Sequence, residues 1–228
     1  MEITIEGVSD RLMSSKLNRR AVMPCMVLTD FAVPGLGAAF IREQLDTFWR
    51  PFFLLPALTS ELITARPEPF LTHELQGKKP PDIFECMDTW LLRENVKQAI
   101  EELEPSVHSF LPLRAVTEKT NKYLGIYYAM RIQQVLDAVV VEGSDYQEGP
   151  GRLGLEKSKN KRVTTLGTAA LDPEKIGHQH LWKQDAAFGA PTFCSDVFRN
   201  RIKAIGAKGW KFKACRLGTA KDFENYSW

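Results

Sequence analysis

The stretch FCSDVFRNRIKAIGAKGWKFKAC, Phe193 to Cys215, decides the fold. It opens as a short apolar strand and enters an amphipathic helix with Phe198, Ile202 and Ile205 on one face. The Ser195 hydroxyl suits the free N–H groups of that helix's first turn. Gly206 and Gly209 suit left-handed caps at its end. The exit strand alternates, with Trp210, Phe212 and Ala214 on one side and Lys211, Lys213 and Cys215 on the other.

The same plan stands 102 residues earlier, without a gap, in LLRENVKQAIEELEPSVHSFLPL, Leu91 to Leu113. Val96, Ile100 and Leu103 form the matching helical face, and Pro105 stops the helix. Within the aligned window only Ile100/Ile202 and Phe110/Phe212 are identical, with Arg114/Arg216 one position beyond it. Strand–helix–strand patterns also recur by chance, so a shared pattern is the safer reading and true duplication the bolder one. The pair implies an α+β fold: a mixed or antiparallel sheet carrying two strand–helix–strand units as an internal pseudo-repeat.

Outside these units, Ala38 to Trp49 reads as a helix closed by Pro51, with Phe40, Ile41, Leu45, Phe48 and Trp49 as its stripe. Pro67, Pro69, Gly77, Pro80 and Pro81 mark a linker. The expected division is an N-terminal helical subdomain, residues 1–79, and an α+β domain, residues 80–228. Val22 to Leu28 contains Pro24 and reads as an edge strand at best. Tyr123 to Tyr128 and Val135 to Val141 read as two strands of a meander, and residues 143–162 as an exposed loop. Asp172 to Lys175 reads as a helical turn with Pro173 first. His178 to Trp182 reads as a strand, and the tail Leu217 to Trp228 as surface.

Composition narrows the class. The 228 residues can bury a core without disulfides or metal. A net charge of +2 argues against a dedicated nucleic-acid binder. Cys25, Cys86, Cys194 and Cys215 lie far apart with no C-x-x-C spacing, which reads as reduced, buried thiols. The first residues, MEITIEGVSDRLM, lack the apolar core of a signal peptide. No uncharged run approaches the roughly 20 residues of a membrane span. The expectation is a cytoplasmic protein without a membrane partner, and the sequence carries no signal that sets an oligomeric state.

Candidate chemistry is thin. His178 and His180 share one side if they lie on a strand, but no third metal ligand sits at a recognisable spacing. Cys194-Ser195-Asp196 at a strand-to-helix turn lacks the glycines of a nucleophile elbow. Cys194 matches Leu92 in the upstream copy, which favours a small core residue over a thiolate. Gly149-Pro150-Gly151 and Gly206 to Gly209 fit no phosphate loop. No catalytic residue, cofactor or metal is expected.

Charge is the remaining signal. The first helix carries Glu94, Glu101 and Glu102, and the second unit Arg199, Arg201, Lys203, Lys211 and Lys213. These eight residues are the expected partner-binding set, an acidic and a basic surface that steer a charged partner. A solvated helix face is the plainer reading of the same charges.

Several segments resemble one bacterial family. FCSDVFRNRIKAIGAKGWKF, Leu171 to Ile176, His180-Leu181-Trp182, PDIFECMDTWLLRENVKQAIEEL, the tyrosine strand and VLDAV together resemble immunity protein family 11, formerly a domain of unknown function. The resemblance covers about residues 81–217 and leaves 1–79 unaccounted for. It implies a role in polymorphic toxin systems: an immunity protein, not an enzyme, that binds a cognate protein toxin and blocks it by stoichiometric occlusion. It carries over no catalytic residues. Two alternatives stand beside it: a small intracellular enzyme using Cys194 or the His178/His180 pair, and a nucleic-acid or regulatory module using the basic Arg199–Lys213 face.

Overall fold

Two large sheets meet over a pair of helices, and the two strand–helix–strand stretches supply both helices. The computed structural model describes residues 23–29, 38–39, 70–72, 81–86, 89–117, 120–147, 162–163, 168–184 and 190–224. Residues 40–49 of the helix expected over Ala38 to Trp49, most of the linker and most of the 143–162 loop lie outside them; within the linker, Phe70–Thr72 form a strand instead. Ala38 and Ala39, expected to start that helix, form a strand instead.

The first sheet has the order β11-β12-β1-β13 and is antiparallel throughout. Its strands are β1 (Cys25–Thr29), β11 (Leu181–Lys183), β12 (Thr192–Cys194) and β13 (Trp210–Ala214). β1 is central, where the sequence suggests an edge: Met26 sits opposite Phe193 on one side and Lys213 on the other. Pro24 costs the sheet nothing because it stands one residue before the strand. It offers only its carbonyl, which accepts the Cys215 N–H at 3.0 Å.

The second sheet has the order β2-β3-β6-β7-β5-β4. It contains β2 (Ala38–Ala39), β3 (Phe70–Thr72), β4 (Ile83–Cys86), β5 (Thr89–Leu92), β6 (Ser109–Thr117) and β7 (Tyr123–Arg131). It is mixed, because β3 runs parallel to β6 while the other pairs are antiparallel. Residues on both sides of the expected division at 79/80 share both sheets.

Each unit is a split crossover. In the first, β5 leads through α1 (Glu94–Leu103) to β6, and β7 lies between the two strands. In the second, β12 leads through α3 (Asp196–Ala204) to β13, and β1 lies between them. One inserted strand comes from downstream, the other from far upstream. The residues that enter the helices match closely: Arg93 has φ −72° and ψ 160°, Ser195 φ −71° and ψ 163°. Ser195 caps α3, its Oγ accepting the Phe198 N–H at 3.1 Å. Gly206 and Gly209 follow with φ 67° and 129°, which a side chain strains to adopt.

The two units share one core. Leu92, Val96 and Ile100 of the first meet Cys194, Phe198 and Ile202 of the second, with Val27, Ile83, Met130, Leu181 and Trp210 around them. Each such side chain contributes about 1.5–3 kcal/mol by leaving water. A second core covers the opposite face of the four-stranded sheet. There Met26, Trp182, Phe193 and Cys215 pack against Ala138, Ala169, Leu171 and Ile176. This cover explains why residues 135–141 are not the expected strand. They form only single bridges, Val135 with Lys183 and Val139 with Leu171, because they cross the sheet face and leave its edges alone. Their N–H groups go to different partners: Leu136 to the Lys183 carbonyl at 2.9 Å and Val140 to the Ala170 carbonyl at 2.8 Å.

Two short helices and two strand pairs complete the covering layer. β10 (Ala170–Leu171) runs parallel to β14 (Arg216–Leu217), and β8 (Tyr146–Gln147) pairs with β9 (Arg162–Val163). Asp172 caps α2 (Pro173–Ile176), accepting the Glu174 N–H at 3.0 Å, with Pro173 in the first turn as the sequence suggests. The tail corrects its expectation. α4 (Ala220–Phe223) follows Thr219, whose N–H donates to Asp222 at 2.6 Å, and Phe223 is buried with Val140 and Ala170. Two glycines make the room: a Cβ on Gly143 would come within 2.6 Å of the Phe223 ring, and one on Gly218 within 2.7 Å. Gly143 and Ser144, expected in an exposed loop, are buried for the same reason.

Candidate partner-binding surface

The eight charged residues fall into three places. Glu94, Lys97 and Glu101 form a row along α1. Lys97 Nζ lies 2.7 Å from Glu101 and 3.7 Å from Glu94, so it neutralises much of the acidic face. The Glu101 hydrogen bond holds the Lys97 pKa above its ordinary value. The same ammonium stands 5.3 Å from the Tyr128 ring and 5.6 Å from Phe110. Tyr128, hydrogen-bonded to Glu94 and partly desolvated, has its hydroxyl pushed up to about 12. Beyond this row the β6–β7 face carries Tyr123 at 55% exposure and Ile126 at 42%, with the Arg114 guanidinium 5.7 Å from the Tyr123 ring.

Glu102 and Arg201 are brought together. They form an ion pair across the contact between α1 and α3, so the acidic and basic helices meet there. Both are well exposed, and such a pair is worth about 1 kcal/mol or less.

The basic stretch is divided by the sheet. Trp210 and Phe212 face the shared core with α3, so α3 covers that side. Lys213 sits opposite Met26 and Lys211 opposite Leu28, on the face of the second core. Lys203 is exposed on the last turn of α3. Arg199 is half-buried, and its guanidinium donates to Cys25 Sγ at 3.2 Å.

The residues weighed for catalysis are occupied otherwise. Cys194 has no exposed surface, and burial, with Cys25 and Cys215 close by, pushes its thiol well up. A thiol so placed is a poor nucleophile. His178 and His180 do not share a strand face: β11 begins at Leu181, and residues 178–180 form the turn before it. His178 is exposed, while His180 Nδ1 lies 2.8 Å from Ser195 Oγ. That hydroxyl is 3% exposed and already accepts the Phe198 N–H, leaving its proton for His180. Among the described residues, no group of three or more His, Cys, Asp or Glu is placed to hold a metal ion.

Sequence reasoning missed the role of Glu104, a buried carboxylate with two separate partners. One oxygen accepts the His180 N–H at 2.6 Å, and the other lies 2.8 Å from His108 Nε2. His108 Nδ1 accepts the Gln133 N–H at 3.4 Å, which places the ring proton on Nε2, facing Glu104. Both side chains are buried. The i, i+4 spacing of Glu104 and His108 was the available signal, but Pro105 between them masks it as the end of a helix. The network joins α1, β11 and the α3 cap; Glu104, His108 and Ser195 are buried in it and His180 is half-buried.

No helix among the described residues is long and apolar enough to cross a membrane. A model of the Immunity protein family (Imm11) matches residues 35–216, most of the chain and well upstream of the resemblance read from the motifs. No curated protein matches the chain.

Proposed function

The chain belongs to the immunity protein family Imm11, and from that premise we propose that it protects a bacterial cell by binding one cognate protein toxin in the cytoplasm. Family membership supports a toxin-neutralising role, and the match over residues 35–216 is the observation that carries this reading. The mechanism we propose is stoichiometric occlusion: the immunity protein covers the toxin's working surface and turns nothing over. Two features support it. Cys194 is sealed in the core and Ser195 is spent on a helix cap. The charged residues sit instead on the outside of the frame, in the Glu94–Glu101 row, at the Glu102–Arg201 pair and along β13, where a large partner can reach several at once.

The test is co-expression with the polypeptide encoded beside this chain. Growth should recover only when both are made, and the two should co-purify as a complex of fixed stoichiometry. Recovery of growth without a complex would point to the enzymatic alternative, since a catalyst need not stay bound. Absence of both would overturn the proposal.

A further inference from the structure

β6 and β7 turn one face towards α1, but α1 covers only part of it. The helix has ten residues, about 15 Å, while each strand has nine, about 30 Å. The strand register orders the side chains along that face. Phe110 opposite Met130 comes first, in the shared core. Pro112 opposite Tyr128 follows, at the Glu94 end of the helix. Next, Arg114 stands opposite Ile126. Past a bulge comes Tyr123, its ring 5.7 Å from the Arg114 guanidinium. Tyr123 is 55% exposed and Ile126 42%, and Pro112, Arg114 and the neighbouring Lys122 are exposed as well. This half of the face therefore meets solvent in the folded chain.

Its chemistry is that of a contact surface. Large apolar side chains gathered in one exposed patch mark interaction sites. Strand pairing holds them rigid, and the guanidinium beside the ring fixes two of them together, so little freedom is lost on binding. Tyrosine and arginine are the residues that most often dominate the energy of protein interfaces. The charge is also uncommitted. Among the described residues neither Arg114 nor Lys122 has a carboxylate partner, whereas Lys97 already answers Glu94 and Glu101. A nucleic acid fits less well, because Glu94 stands at the inner border and one exposed ring is a thin stacking platform. A second copy of this face would set cation against cation.

We propose that the protein partner docks here through an amphipathic helix, laid on the β6–β7 face beyond the end of α1. Its apolar side chains cover Tyr123 and Ile126, and its carboxylates reach Arg114 and Lys122. A helix on this face repeats the packing that α1 already makes with it. Only the partner's identity as a toxin rests on the immunity reading.

The experiment uses the full, isotope-labelled chain and two capped, hydrocarbon-stapled helical peptides at millimolar concentration. One carries Leu along one side with Glu at its margins, and the other has Lys for every Glu. The acidic peptide should shift the amide resonances of Arg114, Tyr123 and Ile126, and the basic one should bind about tenfold more weakly or not at all. Tyr123→Ala should keep the wild-type circular dichroism and weaken the acidic peptide about tenfold. The double variant Arg114→Glu with Lys122→Glu should reverse the peptide preference. If it does not fold, Lys122→Glu alone decides the matter by narrowing that preference. No shift at Tyr123 and Ile126, equal response to both peptides, an undiminished response from Tyr123→Ala, or self-association through this face would each overturn the proposal. So would a single-stranded DNA oligonucleotide that moves the same resonances at lower concentration. A failure here leaves the immunity reading standing, and a failed co-expression test leaves this face to be decided by the peptides.

Discussion

The Glu104 carboxylate accepts the main-chain N–H of His180 at 2.6 Å, tying the end of α1 to the start of β11 across 76 residues of chain. Glu104→Ala would strand that N–H and the His108 ring in a buried place. The expected loss is about 3 kcal/mol, measured as a lower urea midpoint at unchanged slope.

The same carboxylate makes stability depend on pH. Burial alone would raise its pKa, but the His108 hydrogen bond and the His180 and Leu181 N–H groups outweigh burial and hold it below the ordinary value. A folded pKa below the unfolded value of about 4.3 means the stabilisation is complete above that pH and is lost as pH falls through the folded pKa. The stability gap between wild type and Glu104→Gln should therefore hold at neutral pH and narrow as pH falls below about 5. A gap that widens on acidification would contradict this assignment.

Gly206 and Gly209 should respond differently to alanine. At Gly206, with φ 67° and nothing within 4 Å of a new Cβ, the cost is conformational, about 1 kcal/mol. At Gly209 the Cβ would meet the Ile83 carbonyl oxygen at 2.3 Å with φ 129°, and about 3 kcal/mol or more is expected. Calorimetric melts of the two variants check the order.

Phe223 and Gly143 should be coupled. Phe223→Ala is expected to cost about 3 kcal/mol. Gly143→Ala should be harmful in the wild type, where its Cβ would come within 2.6 Å of the ring, and much milder once the ring is gone. A double-mutant cycle with additive effects would mean that the tail does not pack there.

Ile202→Asp should unfold the protein, because Ile202 is 1% exposed and a buried, unpaired carboxylate costs several kcal/mol, on the order of total stability. Lys203→Asp, one position on and exposed, should change stability by no more than about 0.5 kcal/mol. Far-UV circular dichroism during urea titration separates the two.

Much of the frame was legible because local rules governed it. Both amphipathic helices, the Ser195 cap, the Gly206 and Gly209 turns and the Asp172-Pro173 start follow from spacing and backbone preference. What escaped depended on distant partners. Pro24 made β1 look like an edge, yet its missing N–H falls just outside the ladder. Residues 135–141 have strand composition but serve as a cover, a choice made by the sheet beneath them. Phe223 looked like surface because Gly143, 80 residues earlier, makes its socket. The division of the basic stretch between two sheet faces was visible as alternation in Trp210 to Cys215, but without the position of α3 it could not be assigned to sides.

The central place of β1 also sets an order of assembly. Cys25 pairs with Cys194, 169 residues later, and with Ala214 beyond that. As the chain leaves the ribosome, β4 to β7 and α1 can find one another while both described strand partners of β1 are still to be made. Its sheet can close only when nearly the whole protein has been made, and closing so long a loop slows folding more than it weakens the product. Under the proposed immunity role, protection would lag behind synthesis until β1 has met β12 and β13.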